Sequence, residues 1–328
     1  MSGGPSTDAV AAALGLDPTG ARRVRSASRQ VVVFPASGVR TFAVPGEPPT
    51  IEVSVARLLA DAGVAATRLR GGPVPVDGWW VTAWDEIPPP PPPRDPVPDG
   101  PDCASGPEGA DGPEGADGHG RGTTAGPDAA VLGGLARRLH DATAPLAPTA
   151  SGSSPVAPAD PIAAAAGQLA LAREAGAGPA RDLDFMLERG AALVQRWEHA
   201  VGEATGAGRT ALVHGDLHPE NVVVGADGPV LVDLELAGWG PPAYDAAPTA
   251  ALVRWYGHPA GDRAAFDAGY GAPLSGEATA AGLDEVWVQW STAWALANRH
   301  RSPAADDEAA VRVETLRTGI APRPWRLR

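Results

Sequence analysis

The chain contains no lysine. All 26 basic residues among its 328 are arginine, so any anion recognised by a cationic side chain must be met by a guanidinium or a histidine. Abundant Ala, Gly, Pro and Arg make a coding bias the plain cause. Cysteine is almost as scarce: Cys103 stands alone, which excludes a disulfide framework and a cysteine-ligated metal centre. No apolar run approaches the length of a membrane span, and no basic segment followed by an apolar core opens the chain, so neither a span nor a signal peptide is expected. Positive charge is outweighed. A formal net charge of -13 argues against nonspecific nucleic-acid binding and is compatible with a cationic small-molecule partner. The expectation is a cytoplasmic protein, monomer or homodimer, without nucleic-acid or membrane partners. Its length suits one two-lobed enzyme or two ordinary domains.

Against this background one stretch concentrates polar chemistry. His214-Gly215-Asp216-Leu217-His218-Pro219-Glu220-Asn221 lies between the apolar runs Ala211–Val213 and Val222–Val224, and Val230–Val232 then delivers Asp233, Leu234 and Glu235. Two short β-branched runs separated by Gly225-Ala226-Asp227-Gly228 read as a hairpin with a tight turn. Asp216 and Asn221 then sit on the loop entering one strand, and Asp233 just beyond the next, which gathers three oxygen-bearing side chains in one small volume. Such ligands suit Mg²⁺, a hard cation usually held by few protein groups plus substrate phosphates.

The pattern His-x-Asp-Leu-x-x-x-Asn followed by an Asp-hydrophobic-x triplet is the catalytic layout of eukaryotic-type kinases. Gly215 in place of Arg, and Glu235 in place of the triplet's Gly, make it resemble the aminoglycoside phosphotransferase / choline kinase-like family of small-molecule kinases. Leu135-Ala136-Arg137-Arg138-Leu139-His140-Asp141 resembles the first large-lobe helix of the same family. The resemblance covers residues 128–270 well and 22–87 weakly. It implies an α+β, two-lobed protein-kinase-like fold with a small β-sheet N-lobe and a larger, mostly helical C-lobe. Residues 1–21 would be an N-terminal extension, 22–87 the N-lobe, 88–127 an insertion and 128–328 the C-lobe. The insertion opens with six prolines, Pro88–Pro93, and carries two copies of Gly-Pro-Glu-Gly-Ala-Asp. It has too little apolar surface to offset chain entropy and reads as disordered.

The resemblance also distributes roles. The γ-phosphate of ATP or GTP would pass to a hydroxyl of a small molecule: an antibiotic, an amino alcohol or a sugar. Asp216 would accept or orient the acceptor's proton, and His214 would brace the loop from behind. Asn221 and Asp233 would hold Mg²⁺, with Glu235 assisting a second metal or forming a loop salt bridge. His218 stands where protein kinases carry lysine, and Glu220 reads as a solvated acid. The loop holding Ser28 would cover the nucleotide phosphates, and Trp84, at the end of the strand Gly78–Glu86, would face the base or the core. Glu52, in a helix beginning at Thr50, would pair with the phosphate-binding lysine. Alignment puts that lysine at Ala43, and Arg40, three residues earlier and on the opposite face of the strand, is the candidate surrogate. Asp245 would tie the catalytic loop, His140 would be structural, and the stripe Trp287, Trp290 and Trp294 would be core or acceptor wall. Two other readings remain open. One is a transition-metal hydrolase centred on His214-x-Asp216-x-His218; the other is a pseudokinase or nucleotide-binding scaffold without efficient catalysis.

Overall fold

The computed structural model describes residues 4–24, 30–89, 127–148, 153–274 and 282–327. Most of the insertion, including Cys103, and Ser28 with its loop lie outside them.

The N-terminal part is built on a five-stranded antiparallel sheet of order β1-β2-β3-β5-β4, with β1 Arg22–Val24, β2 Gln30–Phe34, β3 Val39–Pro45, β4 Leu69–Val76 and β5 Trp79–Asp85. Alternation decides which residues face which layer. On one face Val32, Phe34, Ala43 and Val81 pack under helix α1, Thr7–Leu14, whose Ser6 caps its first turn through the Ala9 amide. On the other face Phe42 and Trp84 meet helix α2, Thr50–Asp61, which buries Val55, Ala56 and Leu59. Arg40 pairs with Trp84 in the β3–β5 register and shares the face of Phe42. The strand phase thus sets Ala43 against the α1 layer and Arg40 towards the cleft.

The C-terminal part is helical: α3 Ala129–Thr143, α4 Pro161–Glu174, α5 Ala180–Gly206, α6 Ala247–Trp255, α7 Asp262–Tyr270, α8 Leu283–Asn298 and α9 Pro303–Thr318. Helix α3 starts where Asp128 accepts from the Val131 amide. It inserts Leu132, Leu135 and Leu139 into the core shared with α2 and the sheet, each contributing about 1.5–3 kcal/mol of burial. Helices α3 and α7 cross at backbone contact. A Cβ on Gly133 would lie 2.0 Å from the Phe266 carbonyl oxygen, and one on Gly269 would lie 2.0 Å from that of Ala130.

Between these helices sit two small antiparallel pairs: β6 Ala211–Val213 with β9 Gly238–Gly240, and β7 Val222–Gly225 with β8 Gly228–Leu231. The second is the expected hairpin. The stretch after Leu236, which reads as loop, instead supplies β9, its glycines allowing the backbone around Ala159 to lie against it. The two lobes join through main chain: the Thr67 amide donates to the Leu231 oxygen (2.8 Å) and the Leu231 amide to the Ala65 oxygen (3.0 Å). No helix among the described residues is long and apolar enough to cross a membrane.

Candidate active site

The loop 214–221 is fixed from behind by one buried carboxylate. Asp245, fully buried in a 3-10 turn, accepts from the amides of His214 (Oδ2, 2.9 Å) and Gly215 (Oδ1, 2.9 Å). His140 of α3 donates from Nε2 to the same Asp245 Oδ2 at 2.9 Å, and its Nδ1 lies 3.1 Å from the Tyr270 hydroxyl. Charged acceptors with several donors are the strong hydrogen-bond case, so the loop's backbone is held at its first two residues. Gly215 adopts φ +82°, and a Cβ there would come 2.5 Å from the Leu236 oxygen. That close approach explains glycine where protein kinases carry arginine.

His214 spends both ring nitrogens on backbone. Nε2 donates to the Val232 oxygen (2.9 Å), and Nδ1 accepts from the Asp216 amide (3.3 Å). It braces the loop against the strand entering Asp233, and neither nitrogen is available to ligate a metal. Among the described residues no group of three or more His, Cys, Asp or Glu is arranged to hold a metal ion. The hydrolase reading therefore finds no support in the geometry.

Asp216 is buried, and both of its carboxylate oxygens are engaged. Oδ1 accepts from the indole N–H of Trp287 on α8 at 2.7 Å. Oδ2 accepts from Asn221 Nδ2 at 2.9 Å and faces His218 Nε2 at 3.4 Å. Asn221 Nδ2 also donates to the Asp216 main-chain oxygen at 2.8 Å, which leaves Oδ1 as the amide's ligating atom. Burial alone would push the Asp216 carboxyl up, but His218 beside it, together with the Trp287 indole and His214, holds it below the usual carboxylate range. Burial likewise disfavours the charged form of His218, yet Asp216, with Glu220 and Asp233, raises it above the ordinary histidine value. The two side chains face each other in the buried site, with His218 Nδ1 accepting from the Glu220 amide at 3.3 Å.

Asp233 has φ 61° and ψ 65°, a left-handed conformation uncommon outside glycine. Such backbone strain persists where surrounding structure imposes it, most often at functional sites. The residues that follow turn into a short 3-10 segment, Leu234–Leu236, that packs against α2.

Two cavities meet at this hairpin. The first, of about 350 Å³, is lined by Arg40, Phe42, Glu52 and Trp84 from the sheet lobe and by Glu220, Asn221 and Asp233 from below. The second, of about 260 Å³, is lined by Asp216, His218 and Glu235 and by Trp287, Trp290 and Trp294 of α8, and it shares Glu220, Asn221 and Asp233 with the first. Glu220 is exposed, as a solvated acid should be, but its place at this junction was not legible beforehand. Glu235 lies on the second cavity and not the first. Trp84 is 1% exposed, its ring edge-on to Phe42 with centroids 6.4 Å apart and its N–H on the Thr82 hydroxyl. It is core and cavity floor together. Ser28 lies outside the described residues.

The Trp287–Asp216 bond is the contact sequence reasoning missed. The two residues are 71 positions apart, and the only signal was a tryptophan stripe of the kind that more often belongs to a core. For the implied Mg²⁺, the donor set fits a hard cation: one amide oxygen and one carboxylate at the junction, with room for nucleotide phosphates.

Comparisons with known proteins agree with this geometry. No curated protein sequence matches the chain. Among solved structures, an amicoumacin kinase in complex with AMP-PNP, Ca²⁺ and Ami superposes with a TM-score of 0.62 at 15% identity, over 97% of this chain and 93% of that one. An aminoglycoside phosphotransferase from Streptomyces rimosus, with ADP and streptomycin, gives 0.52 at 18% identity over 84% and 92%. A microcompartment-associated aminopropanol kinase gives 0.53 at 14% identity over 94% and 93%. At such identities the likeness is one of fold, and the fold is the two-lobed, protein-kinase-like one. The sequence matches the phosphotransferase enzyme family over residues 114–283, just over half of the chain, and the protein belongs to that family.

Proposed function

We propose that the protein transfers the γ-phosphate of ATP or GTP to a hydroxyl of a small molecule, with the nucleotide in the cavity under the sheet and the acceptor in the cavity along α8. The observation that carries this reading is the meeting of the two cavities at Asn221 and Asp233, with Asp216 on the acceptor side only. A phosphoryl group passing between them crosses the residues suited to Mg²⁺.

Phosphoryl transfer asks little covalent chemistry of a protein; alignment and charge neutralisation dominate. Asn221 Oδ1 and the Asp233 carboxylate would hold Mg²⁺, which neutralises charge on the β- and γ-phosphate oxygens when bound. Asp216, kept ionised, accepts a hydrogen bond from the acceptor hydroxyl and points its oxygen at the γ-phosphate. Its lowered pKa suits orienting the hydroxyl and receiving the proton late rather than abstracting it early. His218, with Nε2 3.4 Å from Asp216 Oδ2, favours the ionised form of the carboxylate. Arg40, facing the nucleotide cavity with Glu52, supplies the cation that lysine supplies elsewhere. Support for Arg40 is positional: it lies on the cleft face of β3, where Ala43 does not.

The test is nucleotide turnover with Mg²⁺ and a panel of hydroxyl compounds, native chain against Asp216→Ala. Phosphorylated product, or slow hydrolysis of the nucleotide that depends on Asp216, is expected. Loss of both in the native chain would sink the enzyme reading and leave the nucleotide-binding scaffold, which the absence of lysine favours.

A further inference from the structure

The second cavity has a chemical character beyond the transfer reaction. Its carboxylates all belong to the catalytic hairpin: Asp216, Glu220, Asp233 and Glu235. The opposite wall is made by Tyr256, Leu327 and three residues spaced along one side of α8, Trp287, Trp290 and Trp294. The acids that α8 and α9 carry close to this wall are consumed elsewhere. Glu285 pairs with Arg189 and with Arg254 (2.6 Å), and Glu308 with Arg312 (2.9 Å) and Arg323 (2.7 Å). Arg312, which also lines the cavity, spends Nε on Glu308, Nη1 on the Ser291 oxygen and Nη2 on the Arg326 oxygen. The far wall thus offers an acceptor aromatic carbon, most of it on the less buried Trp294, and no uncommitted side-chain charge.

Two of those rings already carry a cation. The Arg312 guanidinium lies 5.3 Å from the Tyr256 centroid, and that of Arg301 lies 5.8 Å from the Trp294 centroid. An ammonium group brought to these rings in the cavity would share their quadrupole with an arginine and feel its charge; a neutral planar group packs against them without that opposition.

Resting on the kinase reading above, we infer that the acceptor is a hydroxyl compound with a planar, apolar ring system beside the phosphorylated hydroxyl, rather than a polyamine sugar or a quaternary amino alcohol. The hydroxyl lies at Asp216, and the ring runs along α8 towards Trp294.

The experiment compares kcat/KM of the full chain, with MgATP, for 2-(2-naphthyl)ethanol, its saturated decahydro counterpart, choline and streptomycin. The naphthyl alcohol is expected to exceed the other three by at least tenfold, and the advantage to lie in KM. Trp294 is partly buried and packs against the core under α8, so the melting temperature of each variant is read alongside its kinetics. Trp294→Leu should collapse the planar-over-saturated preference towards one, while Trp294→Phe should keep most of it. A tenfold preference for choline or streptomycin, equal use of naphthyl and decahydro alcohols, or a preference indifferent to Trp294→Leu would each overturn the inference. These outcomes are distinct from failure of the kinase reading, in which no acceptor is phosphorylated and no Asp216-dependent hydrolysis of ATP occurs.

Discussion

Replacing Trp287 with phenylalanine removes one atom pair from the site and keeps an aromatic ring in the wall. The indole N–H donates to Asp216 Oδ1 at 2.7 Å, and the tryptophan is 1% exposed. Hydrogen bonds to charged groups contribute about 1.5–3 kcal/mol, and a carboxylate left short of a donor in a buried site bears that loss in full. If the bond holds Asp216 in its reactive orientation, the whole amount appears in the barrier, and kcat should fall by roughly 10–150-fold at about 1.4 kcal/mol per decade. The KM for the nucleotide should change little, because the indole lines only the acceptor cavity. Stability falls as well, by less than the roughly 3–5 kcal/mol typical of truncating a buried tryptophan to alanine. A double-mutant cycle separates the two effects. Urea unfolding of Trp287→Phe, Asp216→Asn and the double variant should give a coupling of at least about 1 kcal/mol. A kcat within twofold of the native value, with coupling below about 0.5 kcal/mol, would refute the assignment and reduce Trp287 to a packing residue.

Other perturbations test neighbouring parts. Arg40→Ala should raise the KM for ATP by about tenfold, close to 1.4 kcal/mol of phosphate interaction, and Arg40→Lys should recover part of it; unchanged steady-state kinetics would remove Arg40 from the site. Gly215→Ala forces a Cβ to 2.5 Å from a carbonyl oxygen at φ +82°, so about 1–3 kcal/mol of strain should lower both the melting temperature and kcat. Glu308 is buried, which raises its carboxyl, but the Arg326 amide, Arg323 and Arg312 outweigh that and hold it below the ordinary value of 4.5. The group therefore contributes stability above pH 4.5 that is lost as pH falls through its folded pKa. Glu308→Gln should be clearly less stable than native at pH 7 in chemical denaturation, and the gap should narrow as pH falls below 4.5.

What could be read from the sequence was local. The β2–β3 hairpin, the helix from Thr50, the 222–231 hairpin and the helix ending near His140 all announce themselves through spacing within a dozen residues. Arg40 shows where local reading stops. Strand alternation correctly put it opposite Ala43, but which face met the cleft depended on α1 covering the Ala43 side. Helix α4 gave no signal because its alanines are apolar on every side and leave no stripe to detect. Strand β4, Leu-Arg-Gly-Gly-Pro-Val-Pro-Val, has the composition of a loop and is a strand because β5 offers it an edge. Within the site, Asp216, Asn221 and Asp233 were recoverable from one motif. The Trp287 donor and the His140–Asp245 brace join residues 71 and 105 positions apart, and no spacing rule reaches that far.

The main-chain bridge between Ala65–Thr67 and Leu231 has a mechanical consequence. It clamps the sheet lobe to the catalytic hairpin two residues before Asp233, on the same hairpin as the proposed metal ligands. If the lobes part to admit nucleotide, that clamp is the natural pivot and the far rim the part that travels. The gap above Arg40 and Trp84 would then widen and narrow while the spacing of Asn221 and Asp233 stays constant. Hydrogen exchange should accordingly find the Thr67 and Leu231 amides among the slowest in the chain, whether or not the cleft is filled.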